Sequence, residues 1–550
     1  MEKLNKIERL KAKLPPADFA QRLERLDWEA PDEAMRFYLK NFGIYNIKLR
    51  PEIWMLRLRV DAGRPSREIL TLAAQSAEEL GLRILLTARG QIELHDISAQ
   101  QIYPLWRRFD AIGCGSTQTL TDNFRAVVTD SLDGIAPDAR IDCAPLIEEI
   151  SKIFCRNPRW IGTIPRKFNT ALVGREFPSF NPWGNDLLFA LARKGGAWGF
   201  NLYLGGKNSE TAQDADIFCP LEEAPVLFAA VAGVYRRHGL RGSRSKTRLV
   251  HLIEAVGMSQ LRRLIEEAYG RPLPKAGELK MRSSSENRDH LLPISRYGKH
   301  GEIDAAELRR ALEEAQNREL RLTPNQELWI FNPQNIQSKD PLHSRSKIQN
   351  LKSDRHAPIV ACAGARYCPL SLWDVKKDLK ALPIDALQIR GISLGLSGCL
   401  KGCGRHHHSD LGLIGLRTNL YGPTERAVRI YLGALQAPDP APGRLLYYSV
   451  PLRKLGDLLG VILEDFDAAG YASFEAFSRH ILNRYSIEFL QLWYLLRQLS
   501  PLAEELLHGF YEGEEEATLL KRLDIPKAPS PQGALYVKIK TLSHRLWDAA

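Results

Sequence analysis

The chain has 550 residues and a mass of 62.1 kDa, with 44% hydrophobic and 26% charged residues, which excludes a disordered protein and allows several domains. No apolar run reaches about 18 residues, so the sequence predicts no transmembrane helix. The net charge of +11 is typical of a basic solvated surface, an acidic protein partner or an anionic ligand. Nucleic-acid binding is not expected, because the chain has neither a basic tail nor a known nucleic-acid motif.

The first 270 residues alternate predicted strands and helices. The N-terminus is charged and helical in pattern, so we expect no secretory signal and predict a cytoplasmic protein with reduced cysteines. We predict a strand at Trp54–Val60, a helix at Ser66–Leu80 and a strand or hairpin at Arg83–Leu94. The apolar period predicts three further helices, at Ala144–Cys155, 222–237 and 247–268.

An internal repeat indicates that the chain has two homologous halves. R-I-L-L-T-A-R-G-Q-I-E-L at 83–94 resembles E-L-R-L-T-P-N-Q-E-L-W-I at 319–330, and each follows a helical segment, at 66–80 and 304–317. G-F-N-L-Y-L-G-G at 199–206 pairs with V-R-I-Y-L-G at 428–433. A third pair ends at Gly174 and at Gly415. The three pairs occur in one order at similar offsets, which favours a duplicated α/β module over chance similarity.

The polar stretch 271–290 is predicted to link the halves, because it lacks apolar periodicity. Residues 440–550 are predicted to be helical, with a packing or capping role.

Four of the eight cysteines form two close pairs in the second half, Cys362 with Cys368 and Cys399 with Cys403. Four thiolates in two groups suit a [4Fe–4S] cluster. Structural zinc sites usually have closer pairs than C-x5-C, but zinc and plain buried thiols remain alternatives. The other cysteines lack paired spacing and are interpreted as ordinary thiols: Cys114, Cys143, Cys155 and Cys219.

The cysteine pattern resembles that of the sirohaem-containing nitrite and sulfite reductases. Other blocks are similar to the same family: N-K-I-E-R-L-K, W-M-L-R-L-R-V, I-P-R-K-F-N-T-A-L-V-G, W-G-F-N-L-Y-L-G-G, Y-R-R-H-G-L-R-G-S-R-S-K-T-R-L and C-G-R-H-H-H-S-D-L-G-L-I-G. The resemblance runs from about residue 4 to about residue 490 and is greatest to the ferredoxin-dependent nitrite reductases.

The resemblance implies an α/β (α+β) fold with two pseudo-symmetric halves, each with a ferredoxin-like half-domain and a sirohaem-binding domain, and a helical C-terminal extension. The corresponding boundaries are 1–50 for an N-terminal helical segment, 51–120 and 291–350 for the ferredoxin-like half-domains, 121–270 and 351–490 for the sirohaem-binding domains, 271–290 for the linker and 491–550 for the extension.

The resemblance also implies the cofactors and their ligands. Cys362, Cys368, Cys399 and Cys403 would hold the [4Fe–4S] cluster, and Cys403 would also bridge to the sirohaem iron. Sirohaem carboxylates need cationic partners. The candidates carried over from the family are Arg89, Arg241, Arg244, Lys246, Arg248 and Arg405. The histidines His406–His408 are interpreted as packing beside the cofactor rather than as metal ligands.

The family surrounds its anionic substrate with four polar side chains, here Arg57, Arg125, Lys167 and Asn169. Sulfite reductases tend to have a second lysine at the last position and nitrite reductases asparagine, so Asn169 favours nitrite. The chain departs from the family at Gly90, Glu93, Ala126 and Leu400–Lys401, which puts the haem-edge contacts in doubt. At position 93 the family has glutamine.

The resemblance thus implies a ferredoxin-dependent nitrite reductase: six-electron reduction of nitrite to ammonia at sirohaem coupled to a [4Fe–4S] cluster, with electrons from ferredoxin or flavodoxin. No flavin or nicotinamide fingerprint is evident, so an external donor is expected. We expect a monomer that binds neither nucleic acid nor a membrane. The alternatives are sulfite reduction on the same scaffold, a precorrin-3B synthase-like relative, a non-catalytic iron–sulfur protein and a zinc-bound nucleic-acid module.

Overall fold

The computed structural model describes residues 4–47, 50–113, 115–283, 293–331, 358–525 and 534–548, except for the side chains of residues 47, 381 and 534. Cys114 and the end of the predicted linker, 284–290, lie outside the described residues. The chain divides into two compact units, Met1–Asn350 and Leu351–Ala550. No helix of the described part is long and apolar enough to cross a membrane.

The first unit contains nine α-helices among its described residues. They are α1 (Lys6–Lys13), α2 (Glu33–Leu39), α3 (Arg67–Leu80), α4 (Ala99–Ala111), α5 (Ala144–Phe154), α6 (Ala224–His238), α7 (Leu249–Val256), α8 (Met258–Tyr269) and α9 (Ala305–Ala315). Its strands are β1 (Ile44–Ile47), β2 (Arg50–Leu58), β3 (Arg83–Leu86), β4 (Ile92–Ile97), β5 (Thr170–Val173), β6 (Leu187–Lys194), β7 (Ala197–Leu204), β8 (Gln213–Pro220), β9 (Glu278–Leu279), β10 (Ser295–Tyr297), β11 (Glu302–Ile303), β12 (Glu319–Leu322) and β13 (Leu328–Phe331).

These strands form three sheets, ordered β1-β2-β4-β3-β11, β10-β13-β12 and β5-β6-β7-β8, with β9 beside β6. Apolar faces of the first two sheets and of helices α3, α4 and α9 share one core, which includes the fully buried Trp54. Helices α5 to α8 contribute to a second core with the third sheet. The predicted strand at 54–60 and the predicted hairpin at 83–94 are therefore confirmed.

Local signals set the helix ends as expected. Ser66 caps α3, since its Oγ accepts a hydrogen bond from the Ile69 N–H at 3.3 Å, and Gly81 ends it with φ of 65°. The single helix predicted at 247–268 is wrong, because Gly257 adopts φ 79° and separates α7 from α8.

The second unit has one sheet and a helical C-terminal region. Its strands are β14 (Ile359–Ala361), β15 (Leu394–Ser397), β16 (Leu411–Thr418), β17 (Glu425–Leu432) and β18 (Arg444–Pro451), in that order across the sheet. Its helices are α10 (Val375–Asp378), α11 (Ile384–Ile389), α12 (Leu455–Ala469), α13 (Phe474–Phe477), α14 (Ile487–Leu499), α15 (Glu504–Tyr511), α16 (Glu516–Arg522) and α17 (Ala534–Trp547).

The C-terminal region is not wholly helical, because the predicted helical segment 440–550 begins with strand β18. This strand pairs with β17 and completes the sheet. Beyond β18, the helices supply Trp493, Phe510 and Trp547 to the core of the unit, which agrees with a packing role.

The two units repeat the same strand order. In both, two parallel strands are followed by two antiparallel ones, a 3-10 turn and a helix of 15 residues, α6 or α12. The β3–β4 and β12–β13 turns, which both lie in the first unit, also match each other, since Thr87 Oγ1 and Thr323 Oγ1 each accept a backbone N–H at 3.1 Å. The third sequence pair is wrong, however, because Gly174 follows β5 whereas Gly415 lies inside β16.

Candidate active site and cluster-binding loops

Strands β2 and β4 carry a buried charge network. Arg57 lies opposite Glu93 in the antiparallel register, and its Nε donates a 2.8 Å hydrogen bond to Glu93 Oε1. His95 projects from the same face two residues further on, with its Nε2 2.9 Å from Glu93 Oε2. Burial alone would raise the pKa of Glu93, but Arg57 and His95 outweigh it and hold that pKa at about 2. Glu93 is therefore ionised at neutral pH and cancels one positive charge.

Arg125 is a buried cation with one donor nitrogen that lacks an acceptor. Its Nη2 donates to the Thr121 carbonyl at 3.0 Å, whereas Nη1 is buried without a hydrogen-bond partner among the described residues. Burial, followed by repulsion from Arg57, Arg166 and Arg89, lowers the pKa of Arg125. A buried donor in this state is unfavourable by about 1–3 kcal/mol. An anion at Nη1 would relieve that penalty, so this position fits an anionic substrate or a cofactor carboxylate.

The segment containing Lys167 and Asn169 lies beside Arg125. A parallel bridge joins Phe124 to Phe168, and the Arg125 N–H donates to the Phe168 carbonyl at 2.9 Å. Lys167 is half-buried and Asn169 is buried. The structure therefore brings two of the predicted substrate residues next to Arg125, and Arg57 lies within electrostatic range of it.

Asp186 holds the backbone of this segment and one cation of the basic loop 241–248. Its Oδ2 accepts the Asn169 N–H at 2.7 Å, and its two oxygens accept Arg248 Nε at 2.8 Å and Nη2 at 2.7 Å. Because Asp186 is fully buried, the bidentate pair fixes Arg248 firmly.

Asp122 is a second buried carboxylate that joins separate parts of the chain. Arg244 Nη1 donates to its Oδ2 at 2.7 Å, Lys11 Nζ lies 2.9 Å from the same oxygen, and Arg166 Nη1 lies 3.5 Å from Oδ1. Burial would raise the pKa of Asp122, but these cations outweigh it and lower that pKa. One carboxylate thus meets three cations, which leaves the neighbourhood positively charged.

The other predicted sirohaem cations of this unit differ in environment. Arg241 pairs with Glu8, and Arg89 donates to Asn185 Oδ1 at 2.9 Å and to the carbonyls of Ala126 and Thr170. Lys246 is exposed. Protein acceptors therefore position most of these cations, and their contact with sirohaem stays a prediction.

Adjacent strands of the second unit bring the two cysteine pairs together. Strands β14 and β15 are parallel, so the loops after them begin at the same edge of the sheet. The Cys362 N–H donates to the Leu396 carbonyl at 2.9 Å, and the Gly398 N–H donates to Cys362 Sγ at 3.1 Å. A Cβ at Gly398 would lie 1.7 Å from Ser371 Oγ, so glycine lets the second loop pack against the first.

Cys403 lies within electrostatic range of the other three thiols. Burial and then the neighbouring thiols, chiefly Cys403, raise the pKa of Cys362 to about 11. Burial and the same neighbour also raise the pKa values of Cys368 and Cys399. Within the described ranges, no three His, Cys, Asp or Glu side chains are close enough to hold one metal ion. A [4Fe–4S] cluster takes four thiolates, each on a different iron, and these two loops supply four cysteines.

The residues after Cys403 pack against the sheet. Arg405 has φ 57°, and burial lowers its pKa to about 10. His406 Nδ1 lies 2.8 Å from Ser397 Oγ, and the ring packs against Tyr431 at 5.3 Å. Burial, followed by nearby charges, lowers the pKa of His406 to about 3, so the imidazole is neutral. These contacts agree with the predicted packing role of this histidine.

Sequence reasoning missed the carboxylates that organise the site. It noted Glu93 only as a departure, and it did not identify Asp122, Asp186 or Glu8. The alternation I-E-L-H in β4, which places Glu93 and His95 on one face, was an available signal. Nothing in the sequence marks Asp122, because its partners are distant along the chain.

Comparison with known proteins identifies the same family that the sequence motifs resemble. Residues 47–112 match the family described as the nitrite/sulfite reductase ferredoxin-like half domain, and residues 120–273 match the nitrite and sulphite reductase 4Fe-4S domain. The chain belongs to the nitrite and sulfite reductase family. Its cofactors are a [4Fe–4S] cluster and sirohaem, as the sequence predicts.

Some similar proteins are named nitrite reductases and others sulfite reductases. The ferredoxin–nitrite reductase of Synechococcus elongatus is 29% identical over 503 residues, which cover 85% of this chain and 98% of that protein. Sulfite reductase [ferredoxin] 2 of Mycolicibacterium paratuberculosis is 26% identical over 455 residues, which cover 76% of this chain and 80% of that protein. The solved structure of the Mycobacterium tuberculosis NirA protein matches with a TM-score of 0.76 and 23% identity, covering 88% of this chain and 97% of that one, which confirms the fold.

The matched 4Fe-4S segment, 120–273, lies in the first unit and contains no cysteine pairs. The cysteine pairs lie in the second unit, where the same strand order recurs. The two copies are therefore predicted to differ in chemistry, with the predicted substrate residues in one copy and the predicted cluster ligands in the other.

Proposed function

We propose that this protein reduces nitrite to ammonia with six electrons from reduced ferredoxin. The observation that carries the choice of nitrite is the pairing of Arg57 with the ionised Glu93. Arg57, Arg125 and Lys167 bring three positive charges to the predicted pocket, Glu93 removes one, and Asn169 adds none. A pocket with reduced positive charge suits the monoanion nitrite better than the more highly charged sulfite.

The four pocket residues have distinct proposed roles. The unsatisfied Nη1 of Arg125 would donate to a nitrite oxygen, and Arg57, oriented by Glu93, would donate to the same anion. Lys167 would supply protons as the N–O bonds break. Asn169, whose backbone is fixed by Asp186, would orient the substrate with a neutral amide.

Cys362, Cys368, Cys399 and Cys403 are proposed to hold the cluster, with Cys403 shared with sirohaem. When bound, the coupled cluster and sirohaem supply electrons one at a time to the substrate. Backbone N–H groups directed at Cys362 Sγ, from Gly364 at 3.4 Å and Gly398 at 3.1 Å, would stabilise the thiolate and tune the cluster potential.

Ferredoxin is proposed as the donor because the relatives named above are ferredoxin-dependent and this chain has a net charge of +11. An acidic ferredoxin would be attracted to such a surface, and flavodoxin would be attracted for the same reason. Association should then weaken as salt screens the charges.

The second candidate is sulfite reduction, because proteins named sulfite reductase match over most of the chain. A direct test is to purify the protein anaerobically after expression with adequate sirohaem supply, record its absorption spectrum, and compare nitrite with sulfite turnover using reduced methyl viologen. We expect sirohaem bands and faster nitrite turnover. Faster sulfite turnover would overturn the choice of substrate, and pure protein without sirohaem bands would overturn the proposed chemistry.

A further inference from the structure

A surface pocket that no part of the proposed reaction uses lies beside helices α5 and α6 of the first unit. Its volume is about 390 Å³, within the range of about 300–1,000 Å³ typical of small-molecule sites. Ile153 of α5 and Ala229 and Gly233 of α6 give it an apolar floor. Three arginines also line it: Arg159, Arg236 and Arg237.

The three arginines have no acidic counter-charge in the part of the chain that the structure describes. The Arg236 guanidinium stacks over the Trp160 ring at 4.4 Å, and its Nη1 donates to the Arg159 carbonyl at 3.2 Å. Burial, and then repulsion from Arg159, Arg237 and Arg241, lowers the pKa of Arg236. Among the described residues, no carboxylate forms an ion pair with Arg159, Arg236 or Arg237.

Neighbouring arginines of the same unit behave differently. Arg241, Arg244 and Arg248 each pair with a buried carboxylate. Arg236 and Arg237 lie in the last turn of α6, where a cation gains about 0.3–1 kcal/mol from the helix dipole. That effect does not explain Arg159, which comes from a different segment and lines the same pocket.

Gly233 keeps the floor of the pocket open. It lies in the middle of α6, where glycine is less favourable than alanine by about 1 kcal/mol. Glycine in a helix usually permits close packing, but a Cβ at Gly233 would meet no described atom within 4 Å. Packing therefore does not require this glycine, and its effect is to leave space beneath the arginines.

We propose that this pocket binds a small organic polyanion, with at least two carboxylate or phosphate groups on a compact body. The guanidinium groups match carboxylate and phosphate oxygens, with two parallel hydrogen bonds for each group. The body of the ligand would rest on Ile153, Ala229 and Gly233. Mutual repulsion among the arginines makes the empty pocket electrostatically unfavourable, and a polyanion reverses that effect.

The test is isothermal titration calorimetry of the purified holoenzyme with citrate, pyrophosphate, inorganic phosphate and an oligoglutamate peptide. Gly233→Met fills the floor without changing charge, and Arg159→Gln removes one exposed cation. The controls are Gly460→Met, in the corresponding helix α12 where a Cβ also meets no described atom within 4 Å, and Arg25→Gln, which removes an exposed arginine elsewhere.

We expect citrate or pyrophosphate to bind at least 10-fold more tightly than inorganic phosphate. Gly233→Met and Arg159→Gln should each weaken that binding at least 10-fold, while both controls leave it unchanged. Unchanged binding in Gly233→Met, equal weakening by Arg25→Gln, or no preference over inorganic phosphate would overturn the proposal. Binding of oligoglutamate alone, lost in Gly233→Met, would also overturn it, in favour of docking by an acidic protein.

Discussion

Replacing Glu93 with glutamine tests how the charge of the predicted pocket sets substrate preference. The substitution keeps the size of the side chain but removes the negative charge that faces Arg57 and His95. Arg57 would then act on the bound anion without a competing carboxylate. We therefore expect Glu93→Gln to favour sulfite, which carries more negative charge than nitrite.

The magnitude follows from Coulomb's law. For an anion held by Arg57 at about 6–8 Å from the Glu93 carboxylate, one extra negative charge is disfavoured by about 0.5–3 kcal/mol at an effective dielectric of about 20–80. Removal of that repulsion should raise the ratio of sulfite to nitrite kcat/KM by about 2-fold to 100-fold.

The same substitution should lower stability. Ionised Glu93 has a pKa of about 2, against an ordinary value of 4.5, which corresponds to about 3 kcal/mol in favour of the folded state at neutral pH. Because folding lowers this pKa, the stabilisation of the folded state by ionised Glu93 is complete above about pH 4.5. It disappears as the pH falls towards 2. The stability difference between the parent and Glu93→Gln should therefore be constant from pH 7 to 5 and shrink below pH 4.5.

The assay is steady-state turnover of both anions with reduced methyl viologen, normalised to sirohaem content. The ratio of the two kcat/KM values is insensitive to a loss of folded enzyme. Glu319→Gln is the control, because Glu319 pairs with the buried Arg321 on a different sheet at 2.8 Å. If Glu93→Gln and Glu319→Gln have the same ratio of sulfite to nitrite kcat/KM, Glu93 does not set the substrate preference.

Other changes have expected outcomes of their own. Asn169→Lys should raise the sulfite share of turnover by adding a cation, and an unchanged ratio would exclude this residue as a discriminator. Cys403→Ser should abolish the iron–sulfur and sirohaem absorption, whereas Cys219→Ser should retain both; retention in Cys403→Ser would contradict the proposed ligand set. Asp122→Asn should reduce the free energy of unfolding by about 3–5 kcal/mol in denaturant titration, because buried cations lose their shared counter-charge, and a change below 1 kcal/mol would refute that role. The KM for ferredoxin should increase severalfold between about 50 and 300 mM salt, with no change for methyl viologen; equal effects on both donors would argue against electrostatic docking.

The sequence predicted the elements whose signals are local. Helix α3 has its cap at Ser66 and its stop at Gly81, and the β3–β4 hairpin has a turn of threonine, glycine and polar residues, so each was identifiable from a short window. Strand β18 was missed because its pairing with β17 comes from the sheet and the sequence that follows it is rich in helix formers, although Tyr447, Tyr448 and Val450 favour a strand.

The sequence was enough to identify the cationic residues of the candidate site but not the carboxylates that pair with them. Arg57 and Arg125 stand in recognisable blocks, but their environment depends on partners brought in by folding. Arg241 meets Glu8 across 233 residues of sequence, and Arg244 meets Asp122 across 122. Neither pairing has a local sequence signal, so the net charge of the pocket could be determined only from the structure.

We propose that the reduced positive charge around Arg57, Arg125, Lys167 and Asn169 makes nitrite the preferred substrate. The most direct measurement is kcat/KM for nitrite and for sulfite, determined on one anaerobic preparation of the unmodified protein with a saturating artificial donor. We expect a higher value for nitrite. A higher value for sulfite would contradict the proposed effect of the pocket charge.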